Sequence, residues 1–460
     1  MNLSNIKKYY LKVLQSSNSL ILHSFSHLYY KNNHPNYLNS IKISNLNKNK
    51  IKYLKIIYFL KSFFFDFDNN KENIDKKEIK FIFLSHKLSP KKNEKDIYFG
   101  NIKKKIKNKY LTIYINHTNK KSKKLTAENN SIILSKKLNI FFEIYLICKI
   151  ILFSLLKSKI FKYQKKFSSK IYLINQSLYN LRIYYQLKKI LKKNNCKAIF
   201  FTYEGYCYER LVCKLSKENK SISCGYQNST IIKSSHSIYQ NYLDDYNPNI
   251  VFTASKYNYQ LFKKNNKLRK TKVICIGKHS TKKINYSRVP KSNSILVLPE
   301  GIYSECFDLF KFSYNFARVY KNVKFIWRIH PIFNWKDIFK LLNIYKFPPN
   351  IKISNKNLTN DIQRSKYCLY RGSGAVIEAL RNNIIPIYYK KKDELDSIDP
   401  LFQFNMNKIE NEKELLILIK KFNNNKKFIY EIKKFKKFLD LSFDKININK
   451  LKKINTKQYV

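Results

Sequence analysis

A chain of 460 residues is too long for one ordinary core and predicts two domains, and 44% apolar with 15% aromatic residues excludes a disordered protein. The formal net charge of +61 would ordinarily point to nucleic acid, but the lysines are spread along the chain without a recognition motif. Lys, Asn, Ile, Tyr and Phe dominate while Gly, Ala and Pro are scarce, as A/T-rich coding produces; the charge that remains meaningful predicts attraction to anionic lipid and phosphorylated substrates.

Leu20-Ile21-Leu22 and Lys80 to Leu84 read as buried strands, and Pro90 to Asn130 as a Lys/Asn-rich insertion with a short hairpin around Tyr110 to Ile115. Asp66-Phe67-Asp68 formally matches a metal-binding Asp-x-Asp. It follows an aromatic run without small residues and is read as a chance match, so no metal site is expected. Leu138 to Leu156 is the longest apolar stretch. Glu143 and Lys149 interrupt it, each costing roughly 2.5–3.5 kcal/mol near a bilayer centre, which predicts a buried or interfacial helix rather than a span.

From residue 170 onward strands and helices alternate. A helix over Ile171 to Lys193 precedes strand Ala198 to Thr202, helix Tyr208 to Lys217 and strand Ser221 to Tyr226. Strand Ile250 to Thr253, helix Lys256 to Lys264 and strand Lys272 to Ile276 follow, and Arg288 to Ser294 reads as a linker. A second series comprises strand Ile295 to Leu298, helix Ser304 to Tyr320, strand Val323 to Ile329 and a short helix near Asn334 to Leu342. It continues with strand Ile351 to Ile353, helix Asn360 to Arg364, strand Tyr367 to Tyr370, helix Ala375 to Arg381 and strand Ile384 to Tyr389. Two long helices, Glu412 to Phe422 and Phe428 to Leu439, close the chain. Continuous apolar strands alternating with helices predict α/β domains with parallel sheets covered on both faces, and ligands at the carboxyl ends of the strands.

Of the eight cysteines, Cys148, Cys196, Cys224, Cys275 and Cys368 lie in or beside apolar runs, where the thiol behaves as a small hydrophobe. With no Cys-x-x-Cys pair and no leader-like start, a reducing cytoplasmic setting is expected.

No Walker loop, Gly-x-Gly-x-x-Gly, Gly-x-Ser-x-Gly or His-Glu-x-x-His occurs, so ATPase, dehydrogenase, serine-hydrolase and zincin readings lose their usual support. Three strand-end features remain. Gly372-Ser373-Gly374, in a chain of only seven glycines, turns from a strand into a helix. Its amides and the Ser373 hydroxyl suit a phosphate, and Glu378 one turn on suits ribose hydroxyls. His330-Pro331 follows a strand with Arg328 two residues earlier, placing an imidazole to hydrogen-bond or protonate a phosphate. The steps Glu204-Gly205 and Glu300-Gly301 each end a strand, one per domain, and either carboxylate could serve as a general base. Six glycines (205, 225, 277, 301, 372 and 374) fall at or near expected strand ends.

These features in this order resemble bacterial glycosyltransferases of the GT-B architecture, particularly sialyltransferases and polysialyltransferases of surface-polysaccharide assembly. Those enzymes have an acidic-Gly motif, a His-Pro motif and a later Ser-containing motif. The resemblance spans residues 195–390. The run Thr202-Tyr203-Glu204-Gly205-Tyr206-Cys207-Tyr208-Glu209-Arg210, with Gly225-Tyr226-Gln227-Asn228, also looks like a pattern in surface-carbohydrate transferases.

The resemblance implies Glu204 as base, with Glu209, Arg210 and Gln227 on the acceptor side and Glu209 and Arg210 free to pair with each other. It implies His330 and Ser373 on the donor phosphate, with Arg328, Gly372, Gly374 and Glu378 around them. Sialyltransferase motifs carry two acidic residues before Gly, whereas Tyr203 and Pro299 precede the single Glu here. The donor sugar and the choice between Glu204 and Glu300 therefore stay open.

The reading is a two-domain GT-B fold, acceptor domain 1–290 and nucleotide domain 291–445, with a tail over 446–460 and a last helix packing back across the cleft. The reaction expected is inverting, metal-independent transfer from a nucleotide-sugar, a CMP-sugar among the candidates, to a glycan or lipid-linked acceptor. The nucleotide-sugar is a substrate, and no cofactor is expected. The setting implied is capsule or lipopolysaccharide synthesis on the cytoplasmic side, with peripheral contact to anionic membrane and no nucleic-acid partner. The alternatives are CDP-glycerol-type polyol-phosphate transfer and a non-catalytic basic polyanion binder.

Overall fold

A computed structural model describes residues 3–24, 79–88, 96–103, 110–117, 125, 130–156, 167–232, 238–265, 267–278, 294–331, 333–344, 346–391, 397–404, 407–442, 444–447 and 449–452. The Asp66-Phe67-Asp68 match and most of the expected linker lie outside the described residues.

The first domain opens with helices α1 (Leu3–Ser16) and α2 (Leu20–His23). The latter corrects the strand expected at Leu20-Ile21-Leu22: the Ser19 hydroxyl accepts from the Leu22 amide and caps a helical turn instead. Strand β1 (Phe81–Lys87), α3 (Gly100–Lys103), β2 (Tyr110–Asn116) and β3 (Ser131–Ile133) come next. Tyr110 to Ile115 is therefore no hairpin. It is a sheet strand, pairing in parallel with β1 on one side and β3 on the other, because every residue of β2 after Tyr110 is buried.

Helices α4 (Ile140–Leu156) and α5 (Phe167–Leu191) lead to β4 (Ala198–Thr202), α6 (Cys207–Glu218), β5 (Ile222–Gln227), β6 (Ile250–Thr253), α7 (Lys256–Asn265) and β7 (Lys272–Cys275). These seven strands form one parallel sheet in the order β3-β2-β1-β4-β5-β6-β7. Strand periodicity divides its side chains between two cores. Phe83, Phe200 and Phe252 stack along one face, with ring centroids 4.9 and 6.0 Å apart, while Leu84, Ile199, Phe201 and Val251 bury on the other. Gly225 lies inside β5, not at its end; a Cβ there would come within 2.9 Å of the Tyr203 ring, which lies over the strand.

The second domain contains β8 (Ile295–Leu298), α8 (Tyr303–Val319), β9 (Phe325–Trp327), α9 (Trp335–Leu342), β10 (Ile351–Ile353) and α10 (Leu358–Gln363). It continues through β11 (Tyr367–Tyr370), α11 (Ala375–Arg381), β12 (Ile385–Tyr389), β13 (Asn407–Ile409), α12 (Glu412–Phe422) and α13 (Asn425–Lys433). Its parallel sheet has the order β10-β9-β8-β11-β12-β13. In both sheets the first strand sits centrally, the next two step outward on one side and the fourth begins the other side. That is the Rossmann order, with its switch point between β1 and β4 in one sheet and between β8 and β11 in the other.

The chain then returns. Helix α14 (Lys436–Ser442) sets Phe438 against Tyr257 of α7, centroids 4.7 Å apart, and α15 (Asn449–Lys452) follows. The Lys278 amide donates to the Asp444 carbonyl at 3.0 Å and the Asn447 amide to the Ile276 carbonyl at 2.8 Å. The expected single helix Phe428 to Leu439 is two helices, and the second crosses to the first domain. The molecule thus has two Rossmann-like domains facing across a cleft, the arrangement expected from the sequence.

Candidate functional site

At the first switch point the turn after β4 is built on two carboxylates. Glu209, at the third position of α6, accepts the amides of Glu204, Gly205 and Tyr206 at 2.8, 2.8 and 2.9 Å. Glu204 in turn accepts the amides of Asn228 and Ser229 at 2.9 and 2.8 Å, tying the end of β4 to the end of β5. Burial raises the Glu204 pKa, while those amides and Lys278 pull it down. Burial lowers the pKa of Lys278, and Glu204 opposes that shift. A half-buried carboxylate with a raised pKa has the character of a general base.

Glu209 and Arg210 do not pair with each other in this arrangement. Glu209 is buried on its three amides, and Arg210 is buried with its guanidinium 4.9 Å over the Tyr242 ring. Gln227 is buried too, donating to the Ser229 carbonyl at 2.5 Å and accepting from Asn258 at 2.8 Å. All three shape the rim from within.

Sequence reasoning missed a second cluster at this edge. His86, near the end of β1, lies 2.7 Å (Nδ1 to Nε2) from His117, just past β2. Its Nε2 lies 3.2 Å from the Thr202 hydroxyl and 3.1 Å from that of Tyr208, and those hydroxyls are 2.6 Å apart. Burial, then the neighbouring His117, pushes the His86 pKa down to about 3. The strand-end rule that singled out His330 would have found His86. His117 was hidden because its strand read as a hairpin in an insertion. Beside this cluster lies a cavity of 320 Å³ among β2, β3 and α5, lined by Asn116, His117, Lys136, Tyr179 and Arg182 with apolar walls.

At the second switch point the turn after β11 presses on Glu300, two residues beyond β8. Gly372 has φ +70°, and a Cβ there would collide with the Glu300 carboxylate and lie 2.9 Å from Ile398. Ser373 is buried, and Gly374 caps α11 with φ −64°. Arg371 points inward, ion-paired to Glu305 and donating to the Tyr388 hydroxyl at 3.2 Å.

His330 lies three residues beyond β9 on the same edge, half-buried, and burial lowers its pKa. Arg328 is engaged elsewhere: it donates to the Lys356 carbonyl at 2.6 Å and pairs with the buried Asp361 at 2.9 Å. Among the described residues, no group of three or more His, Cys, Asp or Glu is placed to hold a metal ion.

The two edges meet. A cavity of 220 Å³ is lined by Asn228, Ser229, Thr230 and Lys278 from the first domain and by Gly374, Ile377 and Glu378 from the second, with Phe438 and Ser442 of α14 at its side. A Cβ at Gly374 would lie 3.5 Å from the Thr230 hydroxyl. Glu378 is 3.8 Å from Arg381 and partly open to the cavity. The cavity is lined mostly by polar groups and carries one lysine and one carboxylate.

No family model and no curated protein matches the chain. Solved structures similar to it include the calicheamicin glycosyltransferase, at TM-score 0.49 and 10% identity over 79% of this chain and 95% of that one. An S. aureus MnaA–UDP structure is similar at TM-score 0.47 and 11% identity over 77% and 91%. A UDP-GlcNAc 2-epimerase of Methanocaldococcus jannaschii is similar at TM-score 0.44 and 13% identity over 76% and 94%. At this distance the fold rests on the strand orders themselves: two Rossmann-like sheets whose switch points open on one cleft.

Proposed function

We propose that the chain is a glycosyltransferase that moves a sugar from a nucleotide-activated donor, a CMP-sugar among the candidates, to a glycan hydroxyl in surface-polysaccharide synthesis. The observation that carries this reading is the shared cavity: Asn228 and Ser229, fixed by Glu204, line it together with Gly374, Ile377 and Glu378 of the opposite domain. Its 220 Å³ is below the roughly 300–1,000 Å³ of whole small-molecule sites, so it would take the phosphate and reacting sugar. The nucleoside would run along the carboxyl edge of the second sheet, as ligands of such sheets do.

Glu204 is the base in this reading. Burial raises its proton affinity toward the working pH, so it can take the acceptor proton as the hydroxyl oxygen attacks the anomeric carbon. The bond from that carbon to the donor phosphate breaks with inversion, and the electron pair leaves on phosphate. Lys278, which lines the cavity, offsets the developing charge, and Ser373, buried next to the lining Gly374, would add its hydroxyl. The lowered pKa of His330 keeps it neutral near pH 7, so it would donate a hydrogen bond to the leaving group rather than a full proton.

The test is a thermal-shift screen against CMP, CDP, UDP, GDP and their sugars. One nucleotide class should raise Tm in the wild type and do so less in Ser373→Ala and His330→Ala. Stabilisation by none of them would remove the reading. A CDP-polyol acting where CDP-sugars do not would move it to phosphopolyol transfer. Binding that is uniform across polyanions, collapses with salt and is indifferent to both substitutions would leave a polyanion binder.

A further inference from the structure

Helix α4 is apolar on both sides. Its inner face, with Glu143, Leu146, Ile147 and Ile150 spaced at one helical stripe, is buried. Glu143 anchors that face by accepting Arg182 of α5 through both carboxylate oxygens at 2.7 Å. The opposite stripe carries Phe141, Ile144, Tyr145, Leu152, Leu155 and Leu156, all exposed, from 46% at Ile144 to 79% at Phe141. An apolar stripe of this length is uncommon on a surface that meets only water. Lys149 is its one charged residue, and that ammonium lies 5.4 Å over the Tyr145 ring, its stem along the apolar face. No helix among the described residues is long and apolar enough to cross a membrane.

The charge around this stripe indicates what covers it. Lys136 and Lys137 precede the helix, and the sequence of residues 157–166, KSKIFKYQKK, supplies five lysines directly after it. An apolar helix with lysines before and after it in sequence, in a chain of net charge +61, complements an anionic bilayer surface. A second protein copy with the same charge would bring like charges together.

We infer that the outer face of α4 seats in the interfacial region of an anionic bilayer, with its lysines on the lipid phosphates. The helix is then a docking element, lying along the membrane plane rather than spanning it. Arg182, held by Glu143 on the inner face, also lines the 320 Å³ cavity beside His117, so that cavity lies directly behind the docking helix. Combined with the proposed transferase activity, on which only this last step rests, the acceptor entering that cavity is lipid-carried.

The experiment is vesicle flotation of the full chain with phosphatidylglycerol–phosphatidylcholine vesicles and with phosphatidylcholine alone. Wild type should float with the anionic vesicles. Leu152→Glu combined with Leu155→Glu should weaken that binding about tenfold or more, since charge is placed in the seated face. The control Ile417→Glu with Tyr430→Glu, two exposed apolar residues elsewhere, should change nothing. Both positions on α4 are exposed, so Tm should hold.

Cys148, an exposed thiol on the same stripe, reports independently: a polarity-sensitive fluorophore there should shift to the blue on anionic vesicles. Equal flotation of the α4 variant and wild type, or a Cys148 label that stays in water, overturns the inference. So does a change from dimer to monomer in the variant with flotation unaltered, which would assign the face to a second copy. Nucleotide-induced stabilisation should be the same in wild type and the α4 variant, so failure here and failure of the transferase reading are separately visible.

Discussion

Glu209 holds the backbone amide of Glu204 at 2.8 Å, so the candidate base is positioned by a second carboxylate five residues along the chain. The two differ in task. Glu209 spends itself on three amides of its own turn, whereas Glu204 bridges to the next strand and holds the cavity-lining Asn228 and Ser229. Glu209→Ala should cost about 2–4 kcal/mol, because three amides lose their partner in a buried turn. Glu204→Gln keeps an acceptor oxygen for Asn228 and Ser229. It should hold stability within about 1 kcal/mol and preserve nucleotide binding while turnover falls roughly 100-fold or more. Denaturant melts and donor-turnover assays on the two variants check the division of labour.

Gly372 and Glu300 make a second coupled pair. Gly372→Ala adds a Cβ at φ +70° into the Glu300 carboxylate and should destabilise by about 1–3 kcal/mol. Glu300→Ala removes the obstacle but leaves the unfavourable φ. The double variant should therefore lose less stability than the two single losses added together. A double-mutant cycle by chemical denaturation reads this directly; strict additivity would show that the carboxylate is not the obstacle.

The strands legible from sequence were those that are continuous apolar runs between turn residues. Ala198–Thr202, Ile250–Thr253, Ile295–Leu298 and Tyr367–Tyr370 stand at the expected bounds. Ser131–Ile133 and Asn407–Ile409 are three residues long, and Asn407-Lys408 carries no apolar signal; such strands are held by backbone pairing to neighbours that sequence periodicity does not reveal. Losing β2 to a supposed hairpin also hid His117 and the cavity beside it.

At the candidate site, the strand-end argument placed Glu204 and the Gly372–Gly374 turn at the ends of β4 and β11, where they lie. Polarity misled for Glu209, Arg210, Gln227 and Arg328. Each looked available for a ligand, yet each satisfies groups that only the folded chain brings near it. Cys148, read from its apolar neighbours as a small hydrophobe, is exposed because it lies on the apolar outer face of its helix.

Two histidines make acid stability predictable in sign. His23 is fully buried, stacked 3.5 Å from Tyr246, and burial with Arg210 nearby pushes its pKa to about 3. His86 is pushed to about 3 as well. Unfolded imidazoles take up protons near pH 6.5, whereas the folded ones stay neutral until about pH 3. The unfolded state then binds more protons across that window, so their contribution is full above 6.5 and is lost as pH falls toward 3. At pH 5 the loss from His23 is about 2 kcal/mol. His23→Phe, which keeps the ring stack, should flatten the decline of Tm between pH 6.5 and 4 by one proton's worth. An unchanged slope would show that His23 is not held neutral.

The returning helix α14 clasps the domains through Phe438, which touches Tyr257 of the first domain at 4.7 Å and Phe404 of the second at 5.0 Å. Phe438→Ala should cost about 3–5 kcal/mol and weaken nucleotide binding together with stability, since the same helix borders the cleft cavity. Calorimetry of unfolding alongside ligand titration checks both effects.

In the proposed reaction a nucleotide-sugar occupies the cleft with contacts from both domains. Isothermal titration of the responsive nucleotide against wild type, Lys278→Ala and Ser373→Ala tests it, because Lys278 lines the cavity from the first domain and Ser373 adjoins Gly374, which lines it from the second. Each should weaken binding about tenfold or more, the loss expected for a charged or hydroxyl partner of phosphate. Affinity unchanged in both variants would contradict the claim.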